Sequence, residues 1–241
     1  MPEDFGYAWR TVRLYCPSAP TFLAREWVNA AWKQLLGARR WGFMRAEIAV
    51  PVLDTDTHLV CPADFASFKV VVDRSRQVRI PFNYSLDELA KLDPGNITSG
   101  QPHALVAATP STDPLTLGRA RYQYYPGGVA CTLTAVYHRQ GDRLTDTDVF
   151  TGVLADGAET LVAGALAQAA LWPGTSDKPN PYFNAGLAQA KANEFRLGIQ
   201  NLSLRDDEQY PDDLWDSWPE TCDCLGCGAD PRTTDASAIY Y

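Results

Sequence analysis

Residues 21–43 read TFLAREWVNAAWKQLLGARRWGF, and the rest of the chain is best read outward from them. Leu23, Trp27, Ala31 and Leu35 recur every fourth residue, and Val28, Trp32 and Leu36 form a second row beside them. Residues four apart lie one above the other on a helix, so the two rows make one broad apolar stripe. Such a stripe has to be covered, by another part of this chain or by a neighbouring copy. Pro20 suits a first helical turn, Ser18 or Thr21 can cap it, and Gly37 with Arg39 and Arg40 suits its end. The predicted helix runs over about 19–38, with Arg39 and Arg40 read as a capped helix end rather than a binding patch.

Its partners are sought further along the chain. AETLVAGALAQAALW, ending at Trp172-Pro173-Gly174, predicts a helix over about 157–172 whose small residues let another helix come close. Asn180-Pro181 opens a third helix over about 180–200. The expected core between the three comprises Trp27, Trp32, Trp41, Leu161, Leu166, Phe183 and Phe195. Residues 1–17 carry a short extended or helical lead-in.

Between the helices, residues of about 41–137 punctuate short apolar runs with Pro and Gly, the pattern of a β-rich lobe. Strands are expected in FMRAEIAVPV, at Phe68–Asp73 with a hairpin partner in VRIPF, and at about 104–108, 115–117, 119–125 and 132–137. A single helical turn is expected at Pro62–Phe65. Ser85 and Glu88 form a capping box opening the short helix SLDELAKLD. The fold class is therefore α+β: an N- and C-terminal helical bundle, a β-rich middle and a distinct tail.

That tail is set apart by charge. The chain has a net charge of −8, yet residues 1–200 hold 19 basic and 19 acidic side chains, while residues 201–241 hold 2 and 10. A neutral body argues against general nucleic-acid binding, which needs a basic face for phosphates. The domain reading is a body over 1–205 and an acidic, aromatic arm over 206–241. In the arm, Tyr210, Leu214, Trp215, Trp218, Tyr240 and Tyr241 are large side chains costly to leave in water, and aromatics anchor interfaces. The arm is expected to order on a partner, its acids steering it to a basic groove; the alternative is a tail folded back on its own body.

Little in the sequence points to chemistry. Nucleotide-binding glycine loops, a nucleophile elbow and a zinc-protease helix motif are all missing from it. Asp54, Asp56 and His58 are the residue types of a metal site, and equally those of a polar turn. Ser99 with His103 has only its spacing to suggest a nucleophile pair. Cys222, Cys224 and Cys227 form C-x-C-x-x-C without a fourth local zinc ligand, which Cys16, Cys61, Cys131 or a neighbouring chain would have to supply. A zinc-binding interaction module using these cysteines is the alternative function, and a hydrolase at Asp54–His58 a further competitor. The N-terminus resembles no signal peptide and no apolar run reaches the roughly 20 residues of a membrane span, so a reducing cytosol with free thiols is expected. No enzymatic activity, cofactor or membrane contact is expected.

Five stretches together carry a resemblance: REWVNAAWKQLLGARRWGF, CPADFASFKVVVD, SLDELAKLDPGNITSGQPHAL, ETLVAGALAQAALWPGTSDKPNPYFNAGLAQAKANEF and RDDE, in that order over about 22–208. In order and spacing the chain resembles the head-to-tail adaptor proteins beneath the portal of tailed bacteriophages. The resemblance implies a homo-oligomeric ring, usually of about twelve copies, bound to the portal on one side and to a tail or nozzle protein on the other. It implies double-stranded DNA passing through the lumen without specific binding, and a place in the virion neck after assembly in the host cytoplasm. It also implies a helical bundle bearing a β-rich lobe, with a C-terminal arm along the portal. Two departures limit it: only Glu47–Val60 stands where many relatives carry a longer β insertion, and the cysteine-rich end matches nothing in the family.

Overall fold

The computed structural model describes residues 4–95 and 98–211, and the chain divides into two compact units. One unit is helical and joins the residues up to Met44 to those from Gly141 to Pro211; the other is the β-rich lobe Arg45–Gln140. The fold is α+β, as the sequence predicts.

In the helical unit, α1 (Phe5–Tyr15) and α2 (Thr21–Ala38) both pack on α4 (Ala158–Ala169), and α4 packs on α5 (Ala185–Gln209). Trp27, Val28, Ala31, Trp32 and Leu35 are all buried in one cluster with Leu161, Leu166 and Phe195. The Trp27 and Trp172 rings meet edge-on at 5.6 Å, and the Trp41 indole donates to the Leu35 carbonyl at 2.8 Å. Glycine brings the helices together: a Cβ on Gly164 would sit 2.9 Å from both the Ala31 Cβ and the Phe195 ring, and one on Gly198 would sit 2.5 Å from the Thr160 hydroxyl. The lead-in is a full amphipathic helix, α1, burying Phe5, Ala8 and Val12 and capped by Asp4.

Three helix boundaries differ from the reading of the sequence. Thr21 does not cap α2: it is already the first helical residue, its hydroxyl accepts from the Arg13 guanidinium at 3.1 Å, and Pro20 holds the cap position without a side-chain bond. Asn180 does not open α5. Its buried amide donates to the carbonyls of Ala169 (2.8 Å) and Trp172 (2.7 Å), closing the end of α4, and its oxygen accepts from the Cys16 thiol at 3.0 Å. The cap of α5 is Asn184, so Phe183 precedes the helix and lies 55% exposed, outside the core expected of it. At the other end α5 runs through Asp206 to Gln209, past the break at residue 205 that composition suggests.

The lobe stacks two four-stranded sheets. One has the order β1-β10-β3-β4, from Arg45–Val52, Cys131–Arg139, Phe65–Asp73 and Val78–Arg79; its pairings are all antiparallel. The other has the order β2-β8-β7-β5, from His58–Val60, Arg121–Tyr125, Ala104–Ala108 and Tyr84–Ser85, with β5 joining parallel to β7. A two-residue pairing of β6 (Ser99–Gly100) with β9 (Gly127–Gly128) completes the strands. Leu59, Phe68, Val71, Leu105, Tyr124 and Leu133 fill the core. The capping box forms at Ser85 and Glu88, opening α3 (Leu86–Leu92), which packs on β5 and β7. At Pro62–Phe65 there is a hydrogen-bonded turn leading straight into β3 instead of a helical turn.

Residues 115–117, read as a strand, are a loop. The Asp113 carboxylate accepts from the Leu115 N–H at 2.8 Å, and the hydroxyls of Ser111 and Thr116 bond at 2.7 Å, so local polar groups take the bonds a strand would need. The loop thereby holds Leu115 (86% exposed) and Leu117 (72%) out into solvent.

Candidate interaction surfaces

The built polar site of the helical unit lies where the arm begins. Tyr210 alone of the proposed partner-binding residues is described; Leu214, Trp215, Trp218, Tyr240 and Tyr241 lie outside the described residues, as do Cys222, Cys224 and Cys227. Asp206, on the last turn of α5, is 1% exposed. Its carboxylate accepts from the backbone N–H groups of Gly42 (2.6 Å) and Phe43 (3.1 Å), in the 3-10 turn Gly42–Met44 that follows α2. A buried carboxylate needs such donors, and charge-assisted bonds to backbone N–H are among the stronger ones.

Arg39 adds a second clasp. Its guanidinium donates to both oxygens of Asp207, at 2.5 and 3.1 Å, and to the Ser203 carbonyl at 3.3 Å, while lying 5.5 Å from the centre of the Trp41 ring. The Asp207 bond pushes the guanidinium pKa further above its already high ordinary value. Arg39 is thus more than the helix end it resembles in the sequence. Tyr210 closes the clasp over Gly42: a Cβ there would come within 2.4 Å of the Tyr210 Cβ, so only glycine fits. Sequence reasoning missed Asp206, Gly42 and Arg39. The RDDE and Trp-Gly-Phe stretches were visible, but nothing in their spacing says that they meet.

Outside its core the unit shows isolated large apolar side chains. Leu197 and Leu204 each follow a packed residue, Phe195 and Leu202, by two positions, roughly 200° around the helix, and so lie on the far side of α5. Leu14 on α1 and Phe22 on α2 are exposed too.

The candidates for chemistry resolve into turns and strands. The Asp56 carboxylate accepts from the Leu53 N–H at 2.9 Å, and Thr57 bonds the His58 ring at 2.7 Å. Burial, with Arg121 nearby, pushes His58 below its ordinary pKa. Ser99 is in β6, and the His103 N–H donates to the Tyr125 carbonyl at 2.8 Å just before β7. Among the described residues no group of three or more His, Cys, Asp or Glu is arranged to hold a metal ion. Cys16 and Cys61 are buried free thiols, and burial pushes the Cys61 pKa up to about 12, which keeps it protonated. No helix among the described residues is long and apolar enough to cross a membrane.

No curated protein matches the chain. The family model described as SU10 adaptor protein matches residues 9–214, which takes in both units and the Asp206 clasp. The chain belongs to this family of phage head–tail adaptors, a structural connector that associates with portal and tail proteins.

Proposed function

We propose that this adaptor assembles with copies of itself into a ring, of about twelve subunits, that joins the portal to a tail or nozzle protein in the virion neck and lets double-stranded DNA pass through its lumen. The family match over 9–214 carries this reading. It is supported by a helical unit that closes its own core and keeps Leu14, Phe22, Leu197 and Leu204 outside it, where neighbouring subunits can cover them. A body with equal numbers of acidic and basic side chains over residues 1–200 suits a lumen that must release its DNA.

The contact with the portal is assigned to residues 211–241, through Leu214, Trp215, Trp218, Tyr240 and Tyr241, whereas Tyr210 packs over Gly42 at the root of the arm. The clasp at Asp206 supports that assignment by fixing where the arm starts. Electron microscopy of the protein mixed with candidate portal rings is the direct test: rings of adaptor capping the portal are expected, and portals left bare at saturating adaptor would reject the reading. Deleting residues 211–241, which spares the clasp, should abolish portal capture in a pull-down while leaving the thermal transition of the body in place.

A further inference from the structure

We propose that the contact between subunits is directional: the outer seam of α1 in one copy packs along the outer seam of α5 in the next. The inference rests on the ring reading above and names the two faces that build the ring. Both helices follow one pattern. In α1, Phe5 and Val12 stand seven residues apart and are buried in the core of the helical unit; Tyr7 and Leu14 each follow by two positions and are exposed, Leu14 to 81%. In α5, Phe195 and Leu202 are the buried pair seven apart, and Leu197 and Leu204 again follow by two and are exposed. Two positions turn a helix by about 200° and seven advance it by about 10.5 Å, so each helix carries two large apolar side chains, equally spaced, on the side away from its core seam.

The α5 seam says what kind of surface covers it. Ala190, Asn193, Leu197, Gln200 and Leu204 recur in alternating steps of three and four, all exposed and none charged. Those steps are the seam of a helix laid along a helix, and the cores of interfaces are depleted of charge. In a second copy α1 offers the matching helix: Tyr7 and Leu14 have the spacing of Leu197 and Leu204, with Thr11 and the stem of Arg10 on the turn between. Both helices turn their buried seams into the same core, so the outer seams point away from it and neither covers the other within one subunit. Joining different faces of successive copies gives a heterologous contact, which can close into a ring. Packing α5 against α5 stops at a dimer and leaves Tyr7 and Leu14 in water. A seam of two turns is smaller than the interfaces of stable pairs, which bury roughly 1,200 Å² or more, so assembly is expected to depend on concentration.

Sedimentation of the full-length protein over a concentration series reaching about 1 mM tests this. The wild type is expected to gain mass as concentration rises. Leu14→Glu and Leu204→Glu each spoil one seam, and each alone should self-associate at least about tenfold more weakly. Mixed one to one, they retain a single good pairing, α5 of the first on α1 of the second, so the mixture should regain a dimer and nothing larger. Both sites are exposed, and an unchanged thermal transition shows that the variants fold; Tyr7→Ser and Leu197→Ser repeat the test on the same two seams. Leu14→Glu forming dimers by itself marks an α5–α5 contact and overturns the proposal. A mixture that stays monomeric overturns it too, as does a wild type that never gains mass. Portals left bare in microscopy reject the ring reading itself, whereas rings built on portals by both variants overturn only the pairing of α1 with α5.

Discussion

Helices α4 and α5 lie against each other and are built on opposite plans. Of the 12 residues of α4, eight are buried; of the 25 of α5, only Ala188, Phe195, Leu202 and Asp206 are. A helix covered almost all round contributes through its core contacts, and small residues admit the neighbours on several sides. A helix held by one seam with seven-residue steps contributes little core for its length, and most of its surface is left for other purposes. The contrast separates two jobs: α4 holds the unit together, while α5 displays a surface and delivers the chain to the arm.

The sharpest way to break this contrast is to overfill α4. Gly164→Leu puts a side chain where Ala31 and Phe195 already stand at 2.9 Å, and we expect a loss of about 3 kcal/mol or an unfolded unit, read by thermal denaturation. A comparable stability in this variant would mean that α4 is not the tightly packed centre. The clasp comes next. Asp206→Ala leaves the N–H groups of buried Gly42 and half-buried Phe43 without their acceptor, at about 1–3 kcal/mol. Because the loss falls at one end of α5, hydrogen exchange should rise at 203–210 and at 42–43 before it rises in α4. The smallest effect on folding is expected on the open side of α5. Leu197→Ser with Leu204→Ser should leave the melting temperature of the unit nearly unchanged, within about 0.5 kcal/mol for each site, and yet weaken ring assembly measured by light scattering. Wild-type assembly from this variant would show that the open face is not a subunit contact.

The same contrast explains what the sequence could disclose. Helix α2 was legible because its Trp27 and Val28 rows repeat at helical spacing, and α4 because its small apolar residues run unbroken to Trp172-Pro173-Gly174. The start of α5 was not. Asn180-Pro181 has the form of a cap and first turn, but the Asn180 amide is consumed by the carbonyls at the end of α4, a contact no local pattern reveals. Its end was misjudged for a related reason. The acidic composition after residue 205 suggests solvent, whereas Asp206 finds its donors more than 160 residues earlier, in the turn after α2. Leu115 and Leu117 look like strand residues by type, and it is Asp113, Ser111 and Thr116 that fold them into a loop.

The Asp206 clasp also has a mechanical meaning. A helix pulled from its last residue normally peels one turn at a time, each hydrogen bond bearing the load alone. Here tension arriving through Pro211 meets Tyr210 wedged over Gly42, two backbone bonds to Asp206 and the paired oxygens of Asp207 on Arg39 before it reaches the body of α5. These contacts pass the force across to the corner after α2, beside the buried Trp41, so they share it in parallel. A helix loaded from its C-terminal end gains from being rooted in this way, because the strain is delivered to the core and not to the fraying end of a lightly packed helix.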